Sequence, residues 1–168
     1  MSVQTTMLTN FALAIAGMTR GDGYQTQTRE AAVAVQNGLF VCQGSRDETC
    51  KLPTSAAEVA KGLGIARANV VNDPTFGAAS PGVAYQAGQS VECVFRGQVW
   101  VTVEEAVSPM DAVYVRFADG ATYTQKGSFR KSADTVSSAA TAAAVTGARY
   151  LTTASAGALA LVDLNLPQ

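Results

Sequence analysis

The chain has 168 residues, 48% of them apolar and only 15% charged, with a formal net charge of −1 from 12 basic and 13 acidic side chains. That length fits one domain with a sizeable core, and the missing basic surplus argues against a counterion-displacing nucleic-acid footprint. No apolar stretch reaches the roughly 20 residues of a membrane-spanning helix, and the absence of histidine removes Ser-His-Asp and Cys-His nucleophile pairs.

Residues 1 to about 30 lack a clean period and mix Thr and Gln with Gly17, Gly21 and Gly23, so an extended N-terminal arm is expected there. Within it, Phe11 to Met18 is apolar. Ala14-Ile15-Ala16 before Gly17 resembles a signal-peptide cleavage site, but no Lys or Arg precedes it, so an apolar arm that packs on something is preferred. Arg20-Gly21-Asp22 is the tripeptide that integrin ligands display. Matches this short arise readily by chance, and a Gly-Asp-Gly turn beside an arginine is the simpler reading.

Ala31 to Cys42 alternates through Val33 and Val35, then Leu39 and Val41, across an Asn37-Gly38 pair that predicts a hairpin. Residues 43 to 54 read as a polar loop. Ser55 and Glu58 have capping-box spacing and predict a helix of at most two turns, stopped by Gly62 and Gly64. Asn72 to Gly82, with Pro74, Gly77 and Pro81, reads as a long loop.

The strongest pattern follows. Val91, Cys93 and Phe95 share one side of an extended chain. After an expected turn at Arg96-Gly97, Val99, Val101 and Val103 alternate against Gln98, Trp100 and Thr102. After Ser108-Pro109-Met110-Asp111, Val113, Val115 and Phe117 do so against Tyr114 and Arg116. Period two with β-branched residues marks antiparallel strands with one dry face. A further short strand is expected at Ala121 to Gln125, small apolar residues run from Ala139 to Val145, and one or two strands close the chain after Ala156. The fold class expected is all-β: a β-sandwich, jelly roll or small barrel, with an arm over 1–30, a single β-rich domain over 31–168 and one short helix.

Little reactive chemistry is visible. Ser128 and Lys131 have the S-x-x-K spacing but lack the partner motifs, and Glu104-Glu105 should diverge on a strand and be solvated. Gly62-Leu-Gly64 follows a helix, with Arg67 where a dinucleotide fingerprint needs its third glycine. The three cysteines, Cys42, Cys50 and Cys93, form an odd set that favours reduced thiols. A hairpin could bring Cys42 and Cys50 together, and Cys93 reads as a core residue. No catalytic residue, cofactor or metal site is expected. The partner-binding candidates are Phe11, Met18, Arg20 and Tyr24 of the arm, and Trp100, an aromatic on the polar side of its strand.

The order of features resembles the capsid decoration, or cement, proteins of tailed bacteriophages with HK97-type heads. The resemblance is carried by Tyr85-Gln-Ala-Gly88-Gln-Ser-Val, Arg96-Gly97-Gln-Val-Trp100-Val and Pro109-Met-Asp111-Ala-Val-Tyr-Val. It continues through Gly147-Ala148-Arg149-Tyr-Leu, Ala156-Gly157-Ala-Leu-Ala-Leu-Val and Leu164-Asn-Leu, and is less clear at 44–55 and 66–82. It implies a non-enzymatic virion protein, made in the host cytoplasm, that decorates the outer capsid surface and stabilises it by bridging major capsid protein subunits. The implied partners are that protein and copies of itself, as a dimer or trimer, with no nucleic acid and no membrane. A phage tail or receptor-binding β module is the alternative.

Overall fold

The computed structural model describes residues 14–68, 83–136 and 139–167. The expected loop at Asn72–Gly82 and the candidate Phe11 lie outside these residues. The described chain is mostly strand with one short helix, as the alternation demands. Among the described residues no helix is long and apolar enough to cross a membrane.

One strand organises the molecule: β7 (Ser90–Thr102), whose two halves belong to different rings. In the first ring it is joined by β1 (Thr19–Ala31), β4 (Thr49–Lys51), β3 (Phe40–Gln43) and β5 (Gly62–Ala66). Pairing runs β1-β4-β3-β5-β7, and β7 pairs back to β1, which closes a small five-stranded barrel. Ala31, Val35, Leu39, Val41, Cys50, Ala66, Tyr85, Val91 and Cys93 form its core. A short pair, β2 (Val35–Gln36) with β6 (Val83–Tyr85), lies beside it, and the Tyr85 hydroxyl donates to the Arg67 carbonyl at 2.8 Å.

The second ring continues from the other half of β7 through β13 (Leu159–Asn165), β12 (Ala142–Tyr150), β8 (Ala112–Arg116) and β9 (Phe129–Arg130). A single parallel bridge, Val103 to Phe129, joins its ends. Val99, Val101, Val103, Val113, Val115, Phe129, Val162 and Leu164 fill it, and Phe40 of the first ring packs edge-on against Phe129 with ring centroids 6.3 Å apart. The ribbon of β10 (Thr135–Val136) and β11 (Ala139–Ala140) stands apart as its own two-stranded sheet. Of the architectures expected, the small barrel is the one adopted.

Several local expectations change. Arg96-Gly97 is no turn: β7 runs through it. Gly97 takes φ +113°, and a Cβ there would lie 2.7 Å from the Cα of Tyr24, so only glycine admits the crossing strand. The parity of burial changes across this point. Val91 and Cys93 face the first ring's core, whereas Val94 and then Val99, Val101 and Val103 face the main core. Residues 19–30, expected within the arm, are extended but hydrogen-bonded along β7 from Thr19↔Val99 to Glu30↔Ser90. Their polar pattern hid a strand that both neighbours hold by backbone.

Asn37-Gly38 does turn the chain, with Gly38 at φ +75°, but β2 and β3 do not pair with each other; they join β6 and β4/β5. The polar loop 43–54 contains β4. Ala121 to Gln125 forms no strand; Thr122 to Gln125 line a cleft shared with Gln36 to Leu39 and Thr102 to Glu104. The helix α1 (Ala56–Ala60) starts as expected, with Ser55 accepting from the Glu58 amide, but Glu58 reaches back to the Thr54 amide at 2.7 Å and to Lys51 Nζ at 2.6 Å. Gly62 then opens β5 and makes room for the Phe40 ring.

Cys42 and Cys50 do lie on one hairpin, β3–β4. Its register pairs Gln43 with Cys50 and Cys42 with Lys51, so the two thiols point to opposite faces. All three cysteines are free and buried. Burial pushes the Cys42 thiol up to about 12. Cys50 instead shares a hydrogen bond with Cys93 inside the barrel, which lowers Cys50 and raises Cys93.

Candidate partner-binding surface

The outward face of β1, β7, β13 and β12 brings together most of the candidate residues. On β7 the residues between the buried valines, Gln98, Trp100 and Thr102, point away from the main core. Cross-strand register then sets who stands beside whom, because directly opposed residues share a face. Trp100 opposes Leu161 of β13, and its backbone N–H donates to the Met18 carbonyl at 2.9 Å. Gly17 N–H bonds the Trp100 carbonyl at 2.7 Å, so two residues meet one in a bulge with Gly17 at φ +81°. A Cβ on Gly17 would come within 2.8 Å of backbone atoms of Ala66, Ala68 and Gly38, which makes this position glycine-only.

The result is two parallel rows. Met18, Trp100 and Leu161 form an apolar row: Met18 is 41% exposed, Trp100 half-buried and Leu161 buried. Beside it, Arg20 opposes Gln98, Gln98 opposes Asp163, and Asp163 opposes Arg149, which pairs with it at 3.0 Å. Arg20, by contrast, is exposed and makes no ion pair among the described residues. Past Arg20 the β1–β7 register slips, and Gly21, Asp22 and Gly23 are all exposed in the irregular stretch before Gln25. The Arg-Gly-Asp tripeptide therefore sits in an irregular, bulged stretch inside β1 and not in the expected turn.

Tyr24 stands differently. It is half-buried against the main core, and the Arg67 guanidinium lies 5.0 Å from its ring centroid. Arg67 in turn pairs with Glu92 at 2.6 Å, which also accepts from Thr26. Aromatic ring, guanidinium and carboxylate thus fix β1, β5 and β7 to one another at the crossing over Gly97.

The densest polar constellation went unread in the sequence. Arg116, expected on a solvated face, has no exposed surface. Its Nε and Nη2 donate to the two oxygens of Glu104 at 2.8 and 2.7 Å, a fork-on-fork pair, and Nη2 also reaches Asp134 at 2.8 Å. Arg130 lies 3.2 Å from both Glu104 and Asp134, and 3.4 Å from Glu105. Glu104 is therefore buried and paired, not solvated: the chain bends after Val103, turning both carboxylates toward Arg130. Glu105 further accepts from the Lys131 and Ser132 amides. The Arg116 guanidinium holds the Asp134 carboxyl below its usual range. With each acid locked to an arginine, the cluster has the character of a clamp and not of a general acid–base pair. Ser128 and Lys131 flank the two-residue β9 and lie on no helix, the position the S-x-x-K mechanism requires. Among the described residues no group of side chains could hold a metal ion.

With this geometry in hand, similarity to known proteins decides the class. Residues 3–165 match the family described as structural cement protein (E217 gp24/Pam3 gp6). The chain belongs to this family. Its members are structural components of phage heads, so the cement protein has a capsid structural role and a place in the virion. The fold agrees with a chain from the solved capsid of Myoviridae phage XM1, with a TM-score of 0.72 over 98% of each chain at 24% identity. No curated protein matches the sequence.

Proposed function

We propose that this cement protein sits on the outside of the shell in multiple copies and bridges neighbouring major capsid protein subunits, without catalysis. The observation that carries the reading is the family match across nearly the whole chain. The outer face supports it: the exposed Met18 and half-buried Trp100 stand beside an exposed Arg20 that makes no ion pair among the described residues, the make-up of an interface core with a charged rim. Such a protein acts by mass action, because a ligand of the assembled state shifts the equilibrium away from disassembly.

The test is co-sedimentation with matured empty shells. Binding should saturate at a fixed stoichiometry, and shells should resist heating in proportion to occupancy. Trp100→Ala should weaken shell binding by about tenfold or more, as loss of a central aromatic does at interfaces, with little change in the melting temperature of the free protein. Failure to co-sediment across a range of salt would sink the reading.

A further inference from the structure

A crevice of about 380 Å³ opens between the end of α1, the irregular middle of β12 and β1. Val59, Leu63, Val145 and Leu166 supply apolar walls, and its charged residues are two cations, Arg29 and Lys61. No carboxylate lines it among the described residues.

Elsewhere the chain matches its shielded cations with acids: Lys51 with Glu58, Arg67 with Glu92, Arg116 and Arg130 with Glu104. Arg29 breaks this pattern. It is half-buried and makes no ion pair among the described residues. Its Nη1 donates to the Thr28 carbonyl at 3.0 Å, and its Nε is out of reach of solvent, with no hydrogen-bond partner among the described residues. Its positive charge is thus held at the crevice with no acid beside it, and burial makes such an unmatched charge costly until an anion arrives. The terminal N–H groups of the guanidinium are the ones a carboxylate can meet there by charge-assisted hydrogen bonds. Lys61, the exposed C-cap of α1, adds a second positive charge at the same opening.

We propose that this crevice receives an acidic side chain with an apolar neighbour, presented on an extended segment of the capsid shell protein. Arg29 takes the carboxylate, Lys61 contributes at longer range, and the apolar residue seats between Val59 and Val145. The volume lies within the range that holds small ligands and suits two side chains. The identity of the partner rests on the cement reading; the chemistry of the site rests on the crevice alone.

Two measurements separate these. A capped Gly-Asp-Leu-Gly peptide, titrated into the protein, should shift the Arg29 Nε–H resonance, and its Asn counterpart should not. Equal shifts with both peptides would overturn the carboxylate site. On shells, Arg29→Gln and Lys61→Gln should each weaken binding by about tenfold, steeply at low salt, and Lys126→Gln should not. Lys61 is exposed, so its variant folds whatever Arg29 contributes to stability. If the unaltered protein binds shells and both variants bind equally well, the crevice is not a shell contact. If the unaltered protein does not bind shells at all, the cement reading and the proposed partner fall together, and the peptide comparison still decides the site.

Discussion

In the first ring every strand has two hydrogen-bonded neighbours around a cluster of mostly apolar side chains. In the second, β9 is only two residues long and meets the chain beyond β7 at one bridge, Val103 to Phe129. Glu104 follows that bridge immediately, with Arg116 on β8 and Arg130 on β9 gripping it. One ring is closed by backbone ladders and the other by buried charges across a seam the ladder barely spans. A buried ion pair is weak evidence for net stability, but here it fixes which ends meet.

The largest effect should come from the strand that both rings share. Val101→Asp would put an unpaired carboxylate in the main core, at a cost comparable to the whole stability of a domain, about 5–15 kcal/mol. No cooperative thermal transition should remain, and an intact first ring by circular dichroism would show that the rings fold independently.

The seam comes next. Arg116→Leu leaves Glu104 buried with its main partner gone and should cost about 3–5 kcal/mol. The double replacement Arg116→Leu/Glu104→Leu should recover most of that loss in urea midpoints. Equal losses in the two variants would mean that the pair contributes through packing. Hydrogen exchange on the single variant should rise in β8 and β9 before it rises in β3 and β5.

The smallest effect belongs to α1, which joins β4 to β5 and buries Val59 in the main core. The Lys51 ammonium, with the Thr54 amide and hydroxyl, lowers the Glu58 carboxyl from 4.5 to about 2. A folded-state value below the unfolded one means stability that is complete above pH 4.5 and is lost as pH falls toward 2. The side chain is 29% exposed, so screening should hold the effect to about 1 kcal/mol or less. Glu58→Gln should flatten the acid limb of the stability curve in that window. An unchanged acid limb would place the titration elsewhere.

What could be read from the sequence follows from where the physics is local. Alternation at Val99, Val101, Val103, Val113 and Val115 needs only neighbouring residues, and those side chains are buried as read. The Ser55 cap and the Met110 turn are equally local, with Met110 taking φ +72°. Gly97 was ambiguous because glycine serves both turns and crossings, and the deciding contact is Tyr24, far away in sequence. Arg116 sat at a polar position of an alternating strand, and its cover comes from an irregular segment with no periodic mark. Arg29 and Lys61 stand on different elements and meet only in three dimensions. The family resemblance spanned these gaps, because order along the chain survives where local pattern does not.

The placement of β1 and β13 on opposite edges of β7 also has a mechanical meaning. Both run antiparallel to β7, and the chain enters β1 beside Val99 and leaves β13 beside Arg96. Tension between these two points pulls β1 and β13 in opposite senses along the central strand. The hydrogen bonds of both ladders are then loaded sideways and together, and cannot open one after another as in a zipper. A protein built this way transmits force between those two points of its chain through its stiffest direction.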